Sequence, residues 1–463
     1  MSFDFDHTVQ LYHAGKKAAD AMEAGRDLPG EKFFISNYVP VFDPPELPEI
    51  PEDRLPLSPK AGGSAQRMGY RNRSADGMPS LEALMDALHT VAIPNYEDKG
   101  GRGKSYIFGP SLNSSLLPKL FQVRREIAGG HFKWGDKVLV STPIYGMLPK
   151  IAYEAALEEH PDARAFLIVN PNNPTGTILS QPEVDAIGEV IEGYNAKRRQ
   201  YSERELIVIE DTTFSGVRWE RSSEWPSTLE DRKAMGSFLD YRGTKDSTIS
   251  LHSWSKDLSP ELGLASAVGN PALLDGMRLD DGPTKHAQEY ALKAIHPFNK
   301  SITIAHAKKS VEFYKHDYEI IKDRIACLNT VLQEKMGDNR QYVTIVTEPG
   351  AGFNVTADFR GLAGFSLPAE SEKTEVPPLS TSLDFTLALM KNTNVIAYPG
   401  EMFYIPAEDM AVRFSLNVEE EKLNKAFDRI EQFVLSLEPP SKWRDRDIQR
   451  KQDAVGNSSF PAH

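Results

Sequence analysis

Two uninterrupted apolar runs, Phe166-Leu167-Ile168-Val169 and Leu206-Ile207-Val208-Ile209, constrain the fold of this chain more than any other feature. A strand with one wet face alternates apolar and polar residues, whereas runs like these are buried on both faces. The segments around them agree. Val138-Leu139-Val140 and Thr248-Ile249-Ser250-Leu251 are strand-like, Pro182 to Glu192 has helical periodicity, and Leu81 to Val91 and Ser111 to Ile127 are helix candidates. Such alternation implies an α/β layer with a mainly parallel sheet. Long helical periodicity from Ile302 to Met336 then leads into a smaller α+β unit. Its expected strands are Tyr342–Val346, Phe353–Thr356, Val395–Ala397 and Ala411–Leu416, and its helices lie near Leu383–Lys391 and Lys422–Leu437. Seven prolines between Pro40 and Pro59 break regular structure before the first helix. The expected division is an arm over 1–60, a large domain over 61–310, a small C-terminal domain over 311–440 and a tail over 441–463. An extended proline-rich arm is expected to pack across a partner subunit.

The ends of the strand-like runs carry the chemistry. Asp211 follows Leu206 to Glu210, and Asn170-Pro171-Asn172-Asn173-Pro174-Thr175-Gly176 follows Val169. Lys256 closes the run His252-Ser253-Trp254-Ser255-Lys256 after Thr248 to Leu251, and Arg413 lies inside Val412-Arg413-Phe414-Ser415. Taken singly, each has an ordinary explanation: a surface lysine, a helix-capping aspartate, a turn asparagine, a surface arginine. Taken in order, an amine, an amide, a carboxylate and a guanidinium at strand ends are what a pyridoxal phosphate site needs. Lys256 would form an imine with the cofactor aldehyde and later carry the substrate proton. Asp211 would pair with the pyridine nitrogen, and Asn173 would donate to the phenolic oxygen. Tyr145 could stack on the ring, although plain core packing explains it nearly as well. Backbone amides at Gly109, Ser111 and Asn113, opening a helix, could hold the phosphate, with Ser253 and Ser255 adding hydroxyls. Arg413 would clamp a substrate carboxylate in a bidentate pair.

The order of these motifs resembles the class I/II aminotransferase family, the fold type I pyridoxal phosphate enzymes, from roughly Tyr70 to Gln432. The resemblance implies a large domain with a mainly parallel seven-stranded sheet, a smaller α+β C-terminal domain, and a homodimer with shared sites. It also implies that Tyr70 reaches the partner subunit's cofactor phosphate. Amino transfer on an α-amino acid is the expected reaction. The alternatives are the same carbanion chemistry diverted to elimination, replacement, cyclisation or oxidation, and a non-catalytic relative.

Two departures stand out. The family usually has an arginine about eight residues past the lysine, yet Asp257 to Gly269 contains no cation. Losing one charge-assisted contact to phosphate costs about 1.5–3 kcal/mol. Phe214 stands where the family often has a tyrosine that donates to the phenolic oxygen, so Asn173 alone would donate. The run Gly101-Arg102-Gly103-Lys104-Ser105 only imitates a phosphate loop, because Asp98 occupies the position that needs glycine.

Composition narrows the rest. A net charge of −13 disfavours nucleic acid or an anionic membrane as the main partner. Hydrophobic residues at 40%, with no apolar segment near the roughly 20 residues of a span, predict a soluble chain. The acidic start Met1-Ser2-Phe3-Asp4-Phe5-Asp6 does not resemble a signal peptide, so a cytoplasmic location is expected. The single Cys327 excludes an intrachain disulfide and a cysteine-based zinc site, and is expected to be a buried thiol.

Overall fold

The computed structural model describes residues 17, 20–23, 32–34, 42–49, 105–109, 111, 112, 116, 120, 137–141, 162–219, 235–256, 263–274, 284–295, 298–368 and 378–440. The chain divides into two units. The first is built mainly from Val39–Tyr314 and Pro349–Phe353, the second from Asp4–Tyr38, Lys315–Glu348 and the chain from Asn354 onward. Strand β1 (Phe33–Phe34) belongs to the second unit.

Six strands form the sheet of the first unit among the described residues. They are β2 (Ser105–Gly109), β3 (Lys137–Val140), β4 (Ala163–Val169), β5 (Ile207–Asp211), β6 (Thr248–Ser253) and β7 (Ala265–Gly269), in the order β2-β7-β6-β5-β4-β3. Strands β3 to β6 are parallel, and β7 runs against both of its neighbours. Strand β2 therefore shares the direction of the other four.

The apolar runs divide by strand alternation, as a doubly covered sheet requires. Ile207, Ile209, Ile249 and Leu251 pack with Leu112, Leu116, Leu120 and Leu273 on one face. Phe166, Ile168 and Val208 pack on the other against Val184, Ile187 and Ile191 of helix α1 (Gln181–Gln200). Each such side chain stabilises the layer by roughly 1.5–3 kcal/mol when fully buried. Helix α1 starts at Ser180, whose backbone N–H donates to the Glu183 carboxylate at 2.8 Å. It runs eight residues beyond the expected Glu192 and ends on Lys197, Arg198 and Arg199, which suit the negative end of the helix dipole.

Glu210 interrupts the second face with a carboxyl group that is fully buried. It accepts from Ser237 Oγ at 2.8 Å and from the Phe238 N–H at 3.3 Å, tying residues 237–238 to the sheet. Burial pushes its pKa up to about 7 from 4.5, against the pull of those two bonds. The folded state thus holds a proton that the unfolded chain releases near pH 4.5. This contribution to stability is complete below that pH and is lost as pH rises through about 7. Glu210→Gln is expected to melt like the wild type at pH 4 and to be more stable at pH 8.5, by up to about 3 kcal/mol. Thermal melts at the two pH values check this; equal melting temperatures at pH 8.5 contradict it.

Helices α2 (Lys285–Ile295) and α3 (Lys300–Met336) follow. Helix α3 supplies residues to both units, the division falling after Tyr314. Its buried stripe Ile321, Ile325, Leu328 and Leu332 repeats at helical spacing and leaves Cys327 off the stripe. Cys327 is exposed, which corrects the expected buried thiol.

The second unit has a four-stranded antiparallel sheet. Its strands are β8 (Thr344–Ile345), β9 (Asn354–Asp358), β11 (Tyr398–Pro399) and β12 (Ala411–Ser415), in the order β11-β12-β9-β8. Helices α4 (Ser382–Thr393) and α5 (Glu420–Ser436) belong to the same unit. Helix α5 buries Leu423, Ala426, Phe427, Ile430, Phe433 and Val434, with Phe427 set 5.6 Å from Phe414 of β12. Strand β10 (Val395–Ile396) pairs in parallel with β1.

The described pieces of the arm at β1 and over 42–49 are fastened to their own chain. Around β1, Arg429 lies 4.2 Å over the Phe33 ring. In the first unit, Tyr290 donates to Pro45 O at 2.9 Å, Asn299 donates to Pro48 O at 3.0 Å, and the Lys309 amine sits 3.9 Å over Phe42. No helix among the described residues is long and apolar enough to cross a membrane.

Candidate functional site

Strand register decides which polar residues meet. Val169, Asp211 and Leu251 form one row across β4, β5 and β6, while Gly109, Ala265 and Ser253 form another across β2, β7 and β6. Both rows lie at the carboxyl ends of the strands that share a direction. Open α/β sheets bind ligands at this edge, because chain reversals there leave backbone and side-chain groups unshared.

Asp211 ends β5 half-buried. Thr213 donates to its Oδ1 twice, from the backbone N–H at 2.9 Å and from Oγ1 at 2.6 Å. Among the described residues no hydrogen bond falls on Oδ2. Burial raises the Asp211 pKa first of all, while the Thr213 bonds and then the charge of nearby His252 pull it down. His252 is fully buried, with Nδ1 2.8 Å from Thr212 O, so this nitrogen carries a proton and donates to the carbonyl. Its ring meets Trp254 edge-on at 4.3 Å. The ring thereby fastens the turn that carries Asp211 to the strand that leads to Lys256. The sequence shows His252 as one member of a motif and gives no sign of this role.

The three asparagines after β4 have separate jobs. Asn170 is buried; its Oδ1 accepts from Leu179 N at 2.9 Å and its Nδ2 donates to Gly236 O at 3.0 Å. Asn172 Oδ1 accepts from Thr175 Oγ1 at 2.9 Å, and its backbone oxygen accepts from Gly176 N at 2.8 Å. Gly176 has φ +73°, a left-handed value that glycine adopts without a Cβ clash. Asn173 lies half-buried in the turn that Asn170 and Asn172 hold.

Beyond β6, Ser253 Oγ donates to Ser255 Oγ at 3.0 Å. The half-buried Lys256 places its amine 5.8 Å from the centre of the Phe353 ring. Gly109 is the last residue of β2, and Ser111 is half-buried just after it. Residues Gly263 to Gly269 contain no cation, and Ala265 onward is β7. Phe214 is buried, its ring 5.4 Å from that of Phe353 and nearly perpendicular to it.

Arg413 lies in the second unit, on β12, and is 1% exposed. Its guanidinium lies 5.2 Å from the Tyr398 ring and 4.7 Å from the Phe403 ring, an aromatic seat that fixes the plane of the fork. The structure thus gathers Asp211, Asn173, Gly109, Ser111, Ser253, Ser255 and Lys256 around one edge of the first unit's sheet. Tyr70, Asn113 and Tyr145 lie outside the described residues.

Comparison with known proteins bears on the family and the fold. A family model described as aminotransferase class I and II matches residues 148–430. The LL-diaminopimelate aminotransferase of Nitratidesulfovibrio vulgaris (strain DP4) is 24% identical over 324 residues, 64% of this chain and 69% of that protein. An aspartate aminotransferase of Sulfolobus acidocaldarius is 23% identical over 279 residues, 59% of this chain and 57% of that one. Among solved structures, the aspartate aminotransferase from Rhizobium meliloti superposes with a TM-score of 0.62 at 15% identity, covering 92% of this chain and 96% of that one.

Proposed function

The chain belongs to the class I and II aminotransferase family, and on that footing we propose that it moves the amino group of an α-amino acid to a 2-oxo acid. Members of the family depend on pyridoxal 5'-phosphate, and the donor set around Asp211 fits that group. The observation that carries the reading is the state of Asp211: burial raises the pKa of its carboxyl, both of its hydrogen bonds fall on Oδ1, and among the described residues none falls on Oδ2. A buried carboxylate is costly until a cation faces it, and a protonated ring nitrogen is such a cation.

When bound, the cofactor supplies an electrophilic aldehyde and a ring that accepts electron density from the substrate's α-carbon. The chain's own groups do the rest. Lys256 would hold the aldehyde carbon and, once free, would take the α-proton on its amine and return it elsewhere. Asp211 would keep the ring nitrogen protonated. Asn173 would donate an amide hydrogen to the phenolic oxygen, the role for which Phe214 has no hydroxyl to offer. Ser253, Ser255 and the backbone amides at Gly109, Ser111 and Asn113 would hold the phosphate, with Tyr70 of a second copy completing it and Tyr145 stacked on the ring. Arg413 would take the substrate carboxylate as a bidentate pair, its fork already fixed by Tyr398 and Phe403.

The test is a reconstituted sample mixed with a panel of amino acids, with and without a 2-oxo acid. Amino transfer predicts that sustained turnover requires the 2-oxo acid and that an amino acid alone leaves an aminated cofactor. Sustained release of ammonia or of a cyclised product without any 2-oxo acid contradicts it.

A further inference from the structure

One aromatic cluster has no place in the assignments above. Phe353, 1% exposed, closes the Pro349–Phe353 segment that returns to the first unit. Its ring meets Phe214 at 5.4 Å with planes 79° apart, and Tyr314 at 5.4 Å. The segment is bonded on two sides. Gly350 N and Ala351 N donate to Gly176 O of the asparagine turn at 2.9 and 3.1 Å. Gly352 N donates to Val217 O at 2.8 Å, and Gly352 O accepts from Trp219 Nε1 at 2.9 Å. Gly352 has φ +72°, and a Cβ there would come within 3.0 Å of Phe214 Cδ1. Backbone bonds and neighbouring rings together hold Phe353 in place, and the amine over its ring is that of Lys256.

We propose that Phe353 is a positioning residue for the Lys256 amine, and that Phe214 has exchanged a role at the cofactor for support of Phe353. The inference rests on Lys256 being the cofactor-bearing lysine. A lysine head has four rotatable bonds, and an N–H of the neutral, nucleophilic amine pointed at the negative face of an aromatic ring favours positions over that ring. This explains why a buried phenylalanine suits position 214. A hydroxyl there would have to be hydrated or bonded inside a cluster of rings.

The experiment uses the apo-protein, pyridoxal 5'-phosphate and borohydride, with no substrate. Nζ condenses with the aldehyde carbon and water leaves; hydride and a solvent proton then reduce the C=N bond to a secondary amine. Peptide mass spectrometry measures the rate of modification at Lys256. Reductive methylation of the same lysine by formaldehyde serves as the control, since a small aldehyde reaches the amine in many poses. Phe353→Leu is expected to slow capture of pyridoxal phosphate about five-fold, the loss of one N–H···π contact that holds the neutral amine, with methylation within two-fold of wild type. Phe214→Leu, which keeps Phe353 but removes its support, is expected to slow capture about two-fold and covers the case in which Phe353→Leu does not fold. Capture at the wild-type rate in the folded variants overturns the proposal, as does methylation that falls in step with capture. Wild-type protein that is never captured at Lys256 overturns instead the functional reading beneath it.

Discussion

Lys256→Ala is expected to lower turnover at least about a thousand-fold while leaving the fold intact. The estimate combines a lost proton carrier, worth about 10²–10⁴ on its own, with the loss of a covalent hold on the cofactor. Lys256 sits half-buried just past the end of β6, outside the buried rows of the sheet, so truncating it removes little core packing. Melting temperature should therefore stay near the wild-type value. Added methylamine should restore part of the activity, because a soluble amine can carry the proton that the side chain no longer carries. Wild-type turnover in the alanine variant would end the assignment of Lys256. Steady-state kinetics with and without the amine, alongside a thermal melt, make the measurement.

Asp211→Asn is the second large effect, and it has two opposed parts. Asparagine keeps an acceptor for Thr213 and nearly the same volume, but it presents no charge to a ring nitrogen. The loss should reach about a hundred-fold in kcat/KM, the upper range for one charge-assisted contact in a shielded site. The apo-protein should behave in the opposite way. Burial raises the Asp211 pKa above its unfolded value of 3.8, so the folded state gains from the protonated form. That gain is complete at low pH and is lost as pH rises through the folded pKa; from there upward the ionised carboxylate is a net cost. Asparagine removes that cost, so the apo variant should melt higher than apo wild type at pH 8 and show no such advantage at pH 3. A variant less active but also less stable at pH 8 would mark Asp211 as a structural group and not a functional one.

The strands that bear these residues were the most legible parts of the chain. An apolar run of four or five residues has few other uses, and β4 and β5 emerge where Phe166–Val169 and Leu206–Ile209 stand. Strand β7 was not legible. Ala265-Ser266-Ala267-Val268-Gly269 is small and mild, and only antiparallel pairing with β2 and β6 makes it a strand. Helix α2 was missed for a related reason, since five of the eleven residues of Lys285–Ile295 are polar and three of the apolar ones are alanine. Within the candidate site, Asp211 and Arg413 stood out because a charged group beside apolar residues is an anomaly that asks for a cause, and Lys256 because of the order of the motifs around it. Asn170 and Asn172 were not separable from Asn173, because what distinguishes them is contact with Leu179, Gly236, Thr175 and Gly176 in the folded turn. Phe353 was unreadable for a simpler reason: a phenylalanine after glycines matches any core position until the chain is folded and Lys256 arrives above it.

The return of Pro349–Phe353 to the first unit bears on how this chain can be cut and recombined. Ending an expression clone after the long helix would retain Lys256 and delete the aromatic ring beneath it. A chimera joined between residues 256 and 349 would import that ring from the other parent, to meet a lysine and a Phe214 it had not evolved beside. Junctions placed after Asn354 keep the trio from one ancestor, so hybrids of that design are the ones to build first.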